Sequence, residues 1–154
     1  MPAYAELQVT TNFTFLEGAS HPEELVLRAR ELGLDAVAVT DRNSFAGLVR
    51  AHVTAKAAGL RFVPGVRLDF TCGRSVLAWP TDRAAYARLA RLISTGRRRA
   101  PKGECRLTLD DLYADAADGL VVAALTPVRA DGTFEGWLRE LRGVFSDRAH
   151  VAAS

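Results

Sequence analysis

The chain has 154 residues, 49% of them hydrophobic and 25% charged, with a formal net charge of +2. That is the size of one ordinary domain with a real core and the composition of an average globular protein, so one domain spanning 1–154 is expected. The charge is too small to mark a nucleic-acid partner by itself, no apolar run is long enough to span a bilayer, and Met1 is followed by a polar, strand-like segment rather than a signal peptide. Cys72 and Cys105 lie far apart with no metal-like spacing, which reads as a reduced, cytoplasmic protein.

The first element is a strand through Tyr4, Leu7 and Val9, with β-branched Val9, Thr10 and Thr11 suited to extended backbone. It turns polar at once, crowding Gln8, Thr10, Thr11 and Asn12 where the strand should end. Ser20, Pro22 and Glu23 predict a helix start with an S-x-x-E capping box. Leu25, Val26, Ala29 and Leu32 then recur at helical spacing, and Gly33 predicts the stop. Ala36 to Val39 is wholly apolar, as a strand buried on both faces would be, and it ends in a second polar cluster beginning Thr40-Asp41-Arg42. A second helix is expected over 44–58, carrying Leu48, Val49, His52, Val53 and Ala57, and Gly59 closes it.

A third strand starts at Arg61 and continues or restarts at Val66 after Pro64-Gly65. The segment 75–79 reads as the returning arm of a hairpin with Gly73 near its turn. A helix over 81–95 places Tyr86, Leu89, Ala90, Leu92 and Ile93 on one side, with Gly96 as its stop and GRRRAPKGE as a loop. Thr108 to Asp111 can cap a short helix reaching about Ala116. A strand over 120–125, an amphipathic helix over 134–144 and the start of a last strand at 149–152 complete the series. Strands alternating with helices predict βαβ units and a largely parallel sheet or barrel. The ending AHVAAS stops where a strand should feed its next helix, which predicts a piece of a longer chain or an artificial boundary.

Sites in such folds are built at the C-terminal ends of strands, and three of these ends are polar: Gln8 with Thr10, Asp41 with Arg42, and Arg67 with Asp69. The order LQVTTNFTFLEGAS, then AVAVTDRNSFAGLVRAHVTAKAAGLRFVPGVRLDF, resembles the N-terminal half of a PHP (polymerase and histidinol phosphatase) domain. More closely it is similar to the PHP domain opening the bacterial DNA polymerase III α-subunit, and GRRRAPKGEC points to the error-prone branch. The resemblance covers the chain to about Leu125 and thins beyond. It implies an α/β fold, the N-terminal strands and helices of a distorted seven-stranded β/α barrel whose active members hold up to three metals at the strand ends.

By that resemblance, Gln8 and Thr10 stand at the two histidines of an H-x-H motif, neither a useful ligand for zinc or manganese. Asp41 is kept from an Asp-His pair, but Arg42 stands at the histidine, and Arg67 at a bridging glutamate. Fixed positive charge where a dication would sit replaces attraction by repulsion. The expectation is therefore no cofactor in this chain, with Mg2+ belonging to the polymerase palm of a full-length protein. Asp41 is expected to pair with Arg42 or Arg67 as a structural bridge; the alternative is a new anion site. His21 and His52 read as surface or core-edge residues, Cys72 and Cys105 as packed or exposed thiols.

Arg97, Arg98, Arg99 and Lys102, with Arg88 and Arg91 before them, form a basic cluster that either contacts DNA phosphates or is a solvated face. The resemblance implies a structural domain of an error-prone DNA polymerase acting in translesion synthesis. Its partners would be the rest of the polymerase chain, DNA, the sliding clamp and mutagenesis accessory proteins, with no membrane. The alternatives are a metal-dependent phosphoesterase, against which Gln8, Thr10, Arg42 and Arg67 speak, and a stand-alone protein-binding module.

Overall fold

The computed structural model describes residues 3–115 and 118–153. The chain groups into two compact units, Met1–Arg67 and Leu68–Ser154. In the first, β1 (Ala5–Val9), β2 (Ala36–Val39) and β3 (Arg61–Pro64) form a parallel sheet in that order. Helices α1 (Pro22–Glu31) and α2 (Leu48–Ala58) make the crossovers. All four residues of β2 are buried, as its unbroken apolar run requires of a central strand. The β1/β2 register slips between Glu6 and Val9, and this bulge re-aims the end of β1 just where its sequence turns polar.

The core of this unit joins Val26 and Ala29 of α1, Val37 and Val39 of β2, Ala51 and Ala55 of α2, and Leu60. On α2 the buried face is therefore the alanine pair, while Val49 and Val53, counted among its apolar positions, lie 66% and 60% exposed. Two methyl-sized side chains let α2 approach α1 closely, and valines there would hold the helices apart. Helix α2 also starts later than expected, after Gly47, whose Cβ would lie 3.0 Å from Pro22 Cγ and 3.2 Å from Asp41 Oδ2. Helix α1 is capped one residue later than expected. His21 is the N-cap, and its backbone N–H donates to Glu24 Oε2 at 2.7 Å, so H-P-E-E replaces S-x-x-E.

The second unit is built on a sheet of order β4-β5-β6-β7, with β4 at Val66–Asp69, β5 at Ser75–Pro80, β6 at Leu120–Leu125 and β7 at Ala149–Ala152. β4 and β5 are joined through the Phe70–Arg74 turn, where the Phe70 N–H donates to the Arg74 carbonyl at 2.9 Å. β5 and β6 are antiparallel and β6 and β7 parallel, so this sheet is mixed rather than parallel throughout. Two helices lie between β5 and β6: α3 (Arg83–Arg98) and α4 (Leu109–Asp115). A single crossover helix returns the chain to the end of the sheet where the strand began, so the next strand runs parallel; with two helices in between the chain can re-enter from the opposite end, as antiparallel β6 does. α5 (Gly132–Phe145) precedes β7, burying Phe134, Trp137, Leu141 and Phe145. Asp131 caps it, its Oδ1 accepting the N–H groups of Thr133 and Phe134.

Gly96 does not end α3. It is a buried interior residue of a helix that runs on to Arg98. A Cβ there would sit 2.6 Å from Leu107 Cδ2 and 2.7 Å from Cys105 Sγ. Leu107 is fully buried and has little room to give. The glycine lets the following segment cross close over the helix, and the Arg106 N–H donates to the Gly96 carbonyl at 2.9 Å. Gly96→Ala should therefore destabilise the chain by about 1–2 kcal/mol, the overlap outweighing alanine's better helix propensity. A thermal melt checks it; a gain in midpoint would return Gly96 to the role of a helix stop.

Thr108 and Asp111 cap α4 reciprocally, Thr108 N–H to Asp111 Oδ2 at 2.9 Å and Asp111 N–H to Thr108 Oγ1 at 3.2 Å. The expected extension of this helix to Ala116 lies outside the described residues.

Candidate functional site

The polar ends of β1 and β2 meet at one buried carboxylate. Asp41, 1% exposed, follows β2, and the segment after β1 folds over it. Its Oδ1 accepts the Thr11 N–H at 2.8 Å and the Thr14 hydroxyl at 2.7 Å. Its Oδ2 accepts the Thr11 hydroxyl at 2.7 Å. The two hydroxyls are relays: Thr11 Oγ1 accepts the Phe13 N–H at 3.1 Å, and Thr14 Oγ1 accepts the Arg42 N–H at 3.0 Å. A buried carboxylate needs such donors to offset its lost hydration.

Arg42 and Arg67 are backbone neighbours in an isolated parallel bridge, with the Arg67 N–H donating to the Asp41 carbonyl and the Asn43 N–H to the Arg67 carbonyl. Their guanidinium groups converge on Glu17, not on Asp41. Arg42 Nη1 lies 2.7 Å from Glu17 Oε1, and Arg67 Nη1 lies 3.5 Å from Glu17 Oε2. Glu17 thus holds one oxygen toward each arginine. These side chains are 42%, 31% and 38% exposed, so each ion pair contributes well under about 1 kcal/mol and serves mainly to fix the loop. Two guanidinium groups and two carboxylates sum to zero charge.

This arrangement does not fit a metal ion. Gln8 and Thr10 carry an amide and a hydroxyl, poor metal ligands wherever they point, both oxygens of Asp41 already accept short hydrogen bonds, and the adjoining positions Arg42 and Arg67 carry guanidinium. Among the described residues, no three His, Cys, Asp or Glu side chains come together as a metal-binding group. Thr11, Thr14 and Glu17 are the partners that sequence reasoning missed. Their only signal is the recurrence of polar residues in TTNFTFLEG, which follows no strand or helix period.

The basic cluster also takes a different form. Arg97 and Arg98 belong to the last turn of α3, Arg99 is its C-cap, and only Lys102 stands in the turn beyond. At helical spacing Arg88, Arg91, Arg98 and Arg99 share one side of α3, while Arg97 falls opposite, toward Cys105. Burial raises the Cys105 thiol pKa and the Arg97 charge partly opposes that, so the thiol form is favoured. Arg99 Nη1 reaches Asp111 Oδ2 at 2.7 Å. Burial tends to raise the Asp111 pKa, but the hydrogen bonds from Arg99 and Thr108 outweigh it and hold the carboxyl below its usual value. The His21 ring contacts Asn12 Nδ2 at 3.0 Å, and the His52 ring packs edge-on to Phe62.

A parallel β1-β2-β3 unit with its polar cluster at the strand ends, continued by a mixed sheet, defines the class. The chain belongs to the PHP domain family, which matches residues 6–152. Within that class it is homologous to the N-terminal region of error-prone DNA polymerases. It is 50% identical over 153 residues to error-prone DNA polymerase 1 of Agrobacterium fabrum, covering 99% of this chain and 14% of that protein. It is 49% identical over 154 residues to the error-prone DNA polymerase of Caulobacter vibrioides, again 99% of this chain and 14% of that one. The chain thus spans about a seventh of these curated relatives. An amidohydrolase structure from Chromobacterium violaceum superposes with a TM-score of 0.71 over 98% of this chain and 76% of its own, at 15% identity, which shows the fold alone.

Proposed function

We propose that the chain serves as a non-catalytic, bracing PHP domain at the N-terminal end of an error-prone DNA polymerase. The single observation that carries this is the occupation of the strand-end pocket by the Asp41–threonine network and the Glu17–arginine pairs. With the oxygens of Asp41 and Glu17 already engaged, the described side chains of this network leave no carboxylate to spare as a metal ligand or general base. The polymerase carboxylates and their Mg2+ belong to a palm domain elsewhere in the full-length protein, which copies damaged templates in the cytoplasm. The rest of that chain is the first partner, and DNA, the sliding clamp and mutagenesis accessory proteins are the further ones. No helix among the described residues is long and apolar enough to cross a membrane.

Metal analysis of the purified chain after exposure to Zn2+ or Mn2+ and dialysis tests the reading. The expected result is no stoichiometric metal and no hydrolysis of a phosphate ester. Stoichiometric metal together with hydrolysis would replace this reading by a phosphoesterase.

A further inference from the structure

A groove of about 430 Å³ in the second unit is lined by Arg88, Arg91, Thr95 and Arg99 of α3 and by Asp111 and Asp118. Its basic groups are held differently. Arg88 is anchored by its Nη2, which donates to the Asp118 carbonyl at 2.6 Å, and its buried Nε–H has no acceptor among the described residues. Arg99 is held by Asp111 at 2.7 Å. Arg91 is exposed and makes no ion pair with a described residue, and Arg98 stands two turns further along the same side. A hydroxyl from Thr95 lies between them on the helix face.

We propose that this groove is a binding site for phosphate groups of a nucleic-acid backbone, with Arg88 and Arg99 preorganised at its floor and Arg91 and Arg98 as the arms that close on the ligand. Guanidinium groups match phosphate oxygens with paired, charge-assisted hydrogen bonds, and the helix presents them at fixed spacing. From Arg88 to Arg99 the stripe runs about 16 Å along α3. That is longer than one phosphate and favours a chain of them over a free ion. Asp111 is a built-in competitor: it neutralises Arg99 while the groove is empty and would yield it to a phosphate. The site rests on these residues alone and does not depend on the strand-end pocket being inert.

Fluorescence anisotropy with a labelled single strand and a labelled duplex, read across a salt series, tests it on the 154-residue chain. The double variant Arg91→Ala/Arg98→Ala should bind about tenfold more weakly and flatten the log–log salt slope by about 1–2. Asp111→Asn keeps the side chain's shape, frees Arg99 and should bind DNA a few-fold more tightly, a sign that a merely structural ion pair would not give. Arg139→Ala, on α5 and paired only loosely with Glu135, is the control and should change neither quantity. Far-ultraviolet circular dichroism verifies that each variant is folded. An unchanged affinity and slope in the double variant would overturn the proposal, as would weaker binding in Asp111→Asn. Pyrophosphate and deoxynucleoside triphosphates serve as competitors. If they bind through Arg91 and DNA does not, the backbone assignment is overturned in favour of a free phosphate ligand.

Discussion

Asp41→Ala should cost the chain about 3–5 kcal/mol, enough to shift a urea midpoint by more than a molar unit. The carboxylate is 1% exposed and accepts three hydrogen bonds, from the Thr11 N–H, the Thr11 hydroxyl and the Thr14 hydroxyl. Its removal strands three buried donors at once, each worth about 1–3 kcal/mol when left without a partner, and opens a cavity beneath the loop. Asp41→Asn should fall between wild type and alanine. The amide oxygen can still accept two of the bonds, but its NH₂ faces a threonine hydroxyl that must turn round to receive it. Were Asp41 merely a retained metal ligand, its loss in a metal-free sample would be nearly silent or even stabilising. Chemical denaturation of the two variants therefore separates a bracing role from a relic.

Gly18→Ala should be comparably damaging, by about 3 kcal/mol or more, although it removes no hydrogen bond. A Cβ at this position would lie 2.1 Å from the Thr11 carbonyl oxygen and 2.5 Å from the Thr11 carbonyl carbon. Those are backbone atoms in the segment that grips Asp41, and no rotamer change can move them aside. The Gly18 N–H donates to the Thr14 carbonyl at 3.0 Å and the Asn12 N–H to the Ser20 carbonyl at 2.9 Å, so the loop is closed on itself. Pushing Gly18 outward must carry Glu17 away from Arg42 and Arg67, and Thr11 away from Asp41. The two variants should consequently be non-additive: Gly18→Ala combined with Asp41→Ala should cost less than the sum of the separate losses. Strict additivity in the denaturation cycle would show that loop and carboxylate stand apart.

The regular elements were legible because each carries its own period. β2 and β6 declare themselves as short apolar runs, and α3 and α5 as stripes of Leu, Ile, Phe and Trp at helical spacing. What failed were judgements that depend on residues far away in the chain. Gly96 obeys the pattern of a helix stop, and only Leu107 and Cys105, crossing over it, reveal that it is a helix interior made small for close packing. Along α2 the apolar residues do not by themselves tell which face is buried: Val49 and Val53 lie exposed, and Ala51 and Ala55 form the buried pair.

At the strand ends the partners of the charged residues differ from those expected. Arg42 and Arg67 were visible as charges unsuited to a metal, but their convergence on Glu17 depends on how an irregular loop closes. No periodicity encodes that. Asp41 was expected in an ion pair, whereas burial favours neutral hydroxyl and amide donors that sit within one short loop and need no second desolvated charge.

The Glu17 bridge also governs which histories are open to this pocket. Arg67→Glu alone would set a second carboxylate against Glu17 and close to Asp41, and like charges at that distance repel. Arg42→His alone would leave Glu17 bound to Arg67, still drawn across the strand ends. Each of these single changes leaves the strand ends with unbalanced charge, an excess of carboxylate. One loop glutamate shared between two arginines therefore ties three separate positions into one charge balance, so that the residue types at 17, 42 and 67 have to change together if the balance is to be kept.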